Sequence, residues 1–229
     1  MKKTFLIILC ICATTVLFAQ EKITEGKIMF GISYPELSGE MKDLESMLPK
    51  ELTVYVKNEQ SRTEMPSSVM GKLITISNNK TEELLMMMEL MGKKVAIKQT
   101  GEQLKKQEQD AEKEGTLPQV TVIKMDGTKV IAGYTCMKAI IEVKENGEIF
   151  RSECFYTDKL PKMKDQNDKF FKELDGFIME YSQKQSGVLM KVTAKAVIKE
   201  KLADAMFGIS PGYELITQEE LERMVGDLK

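Results

Sequence analysis

The chain has no histidine and no tryptophan, and only four cysteines in 229 residues. Each absence removes a class of chemistry. Without histidine there is no Ser-His-Asp or Cys-His activation of a nucleophile, no imidazole acid–base step and no histidine-ligated metal. Carboxylates can work alone, as in glycoside hydrolysis. Among 35 acidic residues, however, no pair stands out, and there is no tryptophan on which a sugar would stack. Gly26, Gly31 and Gly39 form no GxGxxG after a strand, so no dinucleotide site is indicated. The expectation is a protein that is not an enzyme and has no cofactor. Basic excess is missing too. The 33 Lys and Arg residues face 35 acidic ones, a formal net charge of −2, which argues against a nucleic-acid partner. With 6 prolines and no Gly/Ser-rich run, no linker divides the chain.

One long apolar run is present, at the amino terminus. Lys2 and Lys3 precede the uncharged stretch Phe5 to Phe18, which ends in Leu17-Phe18-Ala19-Gln20 with a small residue at the expected cut. This is the pattern of a secretory signal peptide over residues 1–19. The run is shorter than the roughly 20 apolar residues that cross a bilayer comfortably, which disfavours an uncleaved anchor. Cys10 and Cys12 follow Leu9 and Ile11 rather than the small residue that lipid attachment requires, so both read as ordinary members of the apolar run. The expected location is periplasmic or secreted, with no membrane span after cleavage and residues 20–229 forming one domain.

The remaining chain reads mainly as strands. Gly26 to Tyr34 alternates strictly, with Ile28, Phe30, Ile32 and Tyr34 on one face. Leu37, Met41, Leu44, Met47 and Leu48 fall at helical spacings within 36–48, and Pro49 closes that segment. Strand character returns at Leu52 to Lys57, Asn58 to Glu64, Lys72 to Ser77 and Lys94 to Lys98. Glu82 to Met91 has helical propensities, but its place between a turn and a strand favours a further strand. Residues 100–117 are charged and almost free of apolar side chains, a helical or mobile excursion. Val120 to Met125 runs into Asp126-Gly127, a hairpin signal, and Asn146-Gly147 marks a second hairpin after Thr128 to Lys144. Glu148 to Tyr156, Gly176 to Gln183 and Gly187 to Glu200 follow as strands, with helices near 164–174 and 217–228. Thr217 and Glu220 compose a capping box for the last. The resulting fold class is α+β: a largely antiparallel, strongly curved sheet, an unclosed β-barrel, with helices covering the open side.

Cys136 and Cys154 lie on the two arms of the hairpin at Asn146-Gly147. A two-residue turn would set Cys136 against Thr157 and Cys154 against Ala139. A longer loop with a bulge would bring the sulfurs nearly opposite. In an oxidising compartment a structural disulfide is the default, with free buried thiols the alternative. The 17 methionines include Met86, Met87, Met88 and Met91. Thioether ligands suit copper(I), but without paired MxxM repeats the better readings are plain core or an adaptable apolar pocket. Phe170, Phe171 and Phe177 suit either a helix docked on the sheet or a lid over a cavity.

Ile131-Ala132-Gly133-Tyr134-Thr135-Cys136, Tyr156-Thr157-Asp158-Lys159-Leu160-Pro161 and Phe207-Gly208-Ile209-Ser210-Pro211-Gly212-Tyr213 together resemble exported proteins of Bacteroidetes-type bacteria grouped as domain of unknown function 4412. The resemblance covers mainly residues 120–216, and Ser-Pro-Gly-Tyr departs from a commoner Pro-x-Gly-Tyr. That family is similar to the LolA/LolB lipoprotein carriers, which implies an unclosed barrel with helices plugging an apolar cavity. The expected function is then binding of a lipid, a lipoprotein acyl chain or another apolar ligand, with Ile28, Phe30, Ile32, Met86, Met88 and Phe171 lining the cavity. The alternative is a structural or interaction module of the cell envelope whose barrel is filled by its own side chains.

Overall fold

The computed structural model describes residues 22–226 apart from positions 38, 69–70, 91, 146, 164–170, 172 and 186–187. The leader over 1–19, with Cys10 and Cys12, lies outside the described residues, as do Phe170 and most of the helix expected at 164–174.

The elements in chain order are β1 (Glu25–Ser33), α1 (Glu40–Asp43), β2 (Glu51–Lys57), β3 (Gln60–Ser67), β4 (Gly71–Asn78), β5 (Glu83–Leu90) and β6 (Lys93–Gln99). Then come α2 (Gly101–Lys113), β7 (Gln119–Ile131), β8 (Tyr134–Glu145), β9 (Glu148–Thr157), β10 (Phe177–Gln185), β11 (Val188–Ile198), β12 (Glu214–Leu215) and α3 (Gln218–Gly226). All strands belong to one 12-stranded sheet, ordered β12-β6-β5-β4-β3-β2-β1-β11-β10-β9-β8-β7. Neighbours run antiparallel except β12, which lies parallel to β6. The sheet is therefore mixed and does not close. At one end it curls far enough for β7 to touch β11, four strands away in the order.

The helices correct the expected fold class. Among the described residues they are few and short, and none is seen to cover the open side of the sheet. The amphipathic segment 36–48 yields only the four residues of α1 and a 3-10 turn at Glu45–Met47, leaving Leu44 and Met47 exposed. A short helix costs more to nucleate than it gains unless it packs an apolar face, and here Leu37, Met41 and Leu48 are only half-buried. Helix α2 carries a full capping box at Thr100 and Gln103 yet buries no residue. Polar contacts hold it instead: Gln107 accepts from Gln99 of β6 (3.2 Å) and Lys105 pairs with Glu82 (2.6 Å).

Two strand readings turn on neighbours rather than propensity. Glu83–Leu90 forms β5 despite its helix-prone composition, because pairing with β4 and β6 buries Leu85 and Met87 on one face. The chain does not reverse at Asp126-Gly127, where a hairpin was expected. Strand β7 runs through these residues as a bulge between Met125 and Thr128, with Gly127 at φ 116. The reversal comes at Ala132-Gly133, both at positive φ (48 and 84), as a tight two-residue turn requires.

The far face of β2–β6 is covered by the chain between β11 and α3, residues 199–216. Leu202 and Phe207 pack on Ile74, Ile76, Leu85, Met87 and Ala96, with Tyr55, Met206 and Tyr213 at the margin. This strap is fastened by charge. Buried Arg62 donates through Nη1 to the Met206 carbonyl (2.8 Å) and to Ser210 Oγ (3.3 Å), and through Nε to Glu64 (2.7 Å). Lys57 donates to the Leu202 carbonyl (2.6 Å) and pairs with Asp204 (2.6 Å), while Glu25 accepts from the Leu202 amide (2.8 Å). The strap ends as β12, which covers the edge of β6 through Glu214 and Leu215.

Replacing Arg62 removes the clamp and leaves two half-buried strap acceptors without their donor. Arg62→Met is expected to lower unfolding stability by about 3 kcal/mol in urea titration, the range for breaking a buried charged network. Amide exchange should rise selectively over 202–216. Uniform exchange across the sheet would show that the strap is held by its apolar contacts alone.

Candidate functional site

On the opposite face of the sheet lies a cleft of about 400 Å³. Its floor is built by alternation: Phe30 and Ile32 of β1, Leu52 and Val54 of β2, Thr63 and Met65 of β3, and Leu73 and Thr75 of β4 all point into it. Tyr181 and Gln183 of β10 and Met190 and Val192 of β11 extend the wall. The remaining side comes from the connection between β9 and β10, through Lys162, Met163 and Phe171. Aromatic contacts set the shape. The Phe30 and Phe177 rings lie 6.1 Å apart, and Phe171 meets Tyr181 edge-on at 5.3 Å.

Of the side chains expected to line a cavity, Phe30, Ile32 and Phe171 do so. Ile28 shares their face of β1 but is fully buried in the core with Val54 and Val56. Met86 stands opposite Thr75 on the next strand, just beyond the lining, and Met88 pairs with Val95. Both are half-buried and neither is a lining residue. Leu52, Met65, Leu73, Met190 and Tyr181 were missed. Period-two alternation carries the signal for most of them, but which face of each strand turns inward is set by register across the sheet.

The expected disulfide is absent. Cys136 and Cys154 are both free and fully buried. Glu145 pairs with Glu148, so two residues close this hairpin and Cys154 faces Ala139. Cys136 is three positions from Ala139, and an odd offset sends alternate side chains to opposite faces. Cys154 accordingly packs with Ala139, Ile141, Tyr156 and Leu174, while Cys136 belongs with Ile131, Phe155 and Phe177. Burial pushes the thiols up to about 11 for Cys136 and about 12 for Cys154, far from the reactive thiolate range.

A second cluster the sequence did not reveal sits beside Cys136. Buried Glu180 accepts from Lys129 Nζ (2.8 and 3.0 Å) and Thr193 Oγ1 (3.1 Å), with Lys191 Nζ at 3.3 Å. Lys129 also lies 5.1 Å from the Phe155 ring centroid. Burial by itself would raise the Glu180 carboxyl, but the two ammonium groups outweigh it and hold the group below its ordinary value. Every polar contact here is made within the protein, so the cluster ties β7 to β10 and β11 rather than offering a site. Among the described residues no group of three or more acidic or cysteine side chains is placed to hold a metal ion. No described helix is long and apolar enough to cross a membrane.

No protein-family model and no curated protein matches the chain. Solved structures do. PNGF-II in its C2 crystal form superposes with a TM-score of 0.52 at 14% identity, over 88% of this chain and 32% of that one. The P21 form gives 0.51 at 14% identity, over 89% and 33%. The chain thus spans about a third of the length of PNGF-II, and the likeness is one of fold. More distant are a β-barrel-like protein of domain of unknown function 1849 from Brucella abortus (TM-score 0.40, 6% identity, 79% of this chain and 100% of that one) and LprF from Mycobacterium bovis (0.32, 12%, 78% and 88%).

Two outcomes are expected. Both thiols should resist a thiol-reactive reagent in the native protein and react together on unfolding, and reductant should leave the intact mass unchanged. For Glu180 the sign follows from a folded pKa below the ordinary value of 4.5: its stabilisation is present above that pH and is lost as pH falls through the lower, folded value. Glu180→Gln should cost about 2 kcal/mol at neutral pH and should flatten the loss of stability between neutral pH and about pH 3, read from urea midpoints. An unchanged pH profile would assign the acid sensitivity to other carboxylates.

Proposed function

We propose that this is an exported, non-enzymatic protein that holds a lipid acyl chain or another apolar ligand in the cleft. The observation that carries this reading is the cleft itself: about 400 Å³, within the range of small-molecule sites, with a lining that is mostly aliphatic and aromatic. A barrel filled by its own side chains would leave no such volume. Met65, Met163 and Met190 give the lining conformational adaptability. The absence of histidine supports a binding rather than a catalytic role, and the amino-terminal apolar run supports export. The resemblance to domain of unknown function 4412 and to the lipoprotein carriers points the same way.

The test is native mass spectrometry of residues 20–229 purified from periplasm, before and after organic extraction. A lipid adduct removed by extraction is expected, and Met65→Glu, which puts a charge on the cleft floor, should abolish it with the fold intact by circular dichroism. Apoprotein mass alone, unchanged after incubation with phospholipids and fatty acids, would overturn the reading and favour a structural or interaction role.

A further inference from the structure

The cleft lining is not uniform, and its polarity has a direction. Its polar side chains among the described residues are Thr63, Thr75, Lys162, Tyr181 and Gln183, the first three toward one end and the last two toward the other, so that the single charge marks one end. Thr63 and Thr75 are direct cross-strand partners on β3 and β4. Thr63 is in register with Val54 and, through it, with Ile28. Lys162 is placed over the same end by its main chain: its carbonyl accepts from Asn79 Nδ2 at 3.0 Å, four residues beyond Thr75. Buried Leu160 anchors the approach to Lys162, and Pro161 stiffens it. Gln183 lies at the other end, paired with Met190 two positions past Val192, which faces Ile32. Between the two ends stand Phe30, Ile32, Leu52, Met65 and Leu73.

Lys162 is the one charged residue in the lining among the described residues. A lysine ammonium is a compact point charge on a flexible stem, suited to an oxyanion. Two threonine hydroxyls beside it can donate to the same group. One cationic, hydroxyl-bearing end and one long apolar body reproduce in reverse the outline of a single-chain anionic amphiphile. We propose that Thr63, Thr75 and Lys162 bind the carboxylate or phosphate headgroup of such a molecule, with its alkyl chain lying along Phe30, Leu52, Met65 and Leu73. The inference rests on the apolar-ligand reading of the cleft and adds the headgroup class and the orientation to it. Charge-assisted hydrogen bonds are roughly twice as strong as neutral ones, so the headgroup would set selectivity while the chain supplies affinity.

The probes are three molecules sharing one chain: hexadecanoate, hexadecyl phosphate and hexadecanol, titrated against residues 20–229 by calorimetry. At least one of the two anions should bind about tenfold more tightly than the alcohol. The preferred anion identifies the source, a free fatty acid for the carboxylate or a phospholipid-derived chain for the phosphate. Lys162→Met should lower anion affinity about tenfold and leave hexadecanol unchanged, Lys162→Arg should retain the preference, and the double variant Thr63→Val with Thr75→Val should weaken anion binding further. Equal affinity for anions and alcohol, or a preference that survives Lys162→Met, overturns the headgroup assignment while the cleft reading stands. Failure of all three probes to bind overturns both. Thermal unfolding of each variant guards against loss of the fold as the cause.

Discussion

A sheet of twelve strands has two broad faces to take out of water, and the described residues include little helix with which to do so. Each side chain left on an exposed sheet face forfeits on the order of 25 cal/mol per Å² of apolar burial, so the sheet must find cover within itself. It does this in three ways. One end curls until β7 reaches β11. The far face of β2–β6 is roofed by an extended strap over 199–216. On the near face Met163 and Phe171, among the described residues of the β9–β10 connection, pack over the sheet and line the cleft. The cleft is thus a consequence of how cover is distributed across an unclosed sheet.

Extended cover has a weakness that helical cover lacks. A helix satisfies its own backbone, whereas a strap lying across a sheet face carries free amides and carbonyls that need partners. The cationic side chains of β2 and β3 meet that need: Lys57 and Arg62 reach the Leu202 and Met206 carbonyls, and the Ser210 amide points at Met87 Sδ at 3.3 Å. On the opposite half of the sheet, Glu180 plays the equivalent part for the curled β7–β8 hairpin through Lys129. The fold therefore depends on a few buried or half-buried charges at the seams between its apolar clusters. This explains why Phe207 to Tyr213, conspicuous as a motif in the sequence, turns out to be a fastening rather than part of the cleft.

Much of the fold is legible from residues alone, and the failures have identifiable causes. The alternation of Ile28, Phe30 and Ile32 placed three side chains on one face, and Phe30 and Ile32 do line the cleft. Asp126-Gly127 reads as a turn because glycine at positive φ is the commonest mark of one, but the same conformation serves a bulge. Only the pairing of Ile131 with Tyr134 shows which applies. The cysteines were misjudged for a similar reason. Their spacing is compatible with several registers, and the two-residue turn chose one that sends the sulfurs to opposite faces. The helix expected at 36–48 had the right periodicity but buries none of its apolar residues fully.

By itself the sequence determined the strand-rich character, most strand positions, the hairpin reversal marked by Asn146-Gly147 and the exclusion of histidine chemistry, because these follow from local sterics and from which functional groups exist at all. Tertiary structure alone decided which face of each strand looks into the cleft, how the strap lies, that Thr63 and Thr75 stand side by side on its floor, and that two thiols in one hairpin stay apart. Those features depend on register between strands distant in sequence. A one-residue slip would move every side chain to the other face without changing a single local preference.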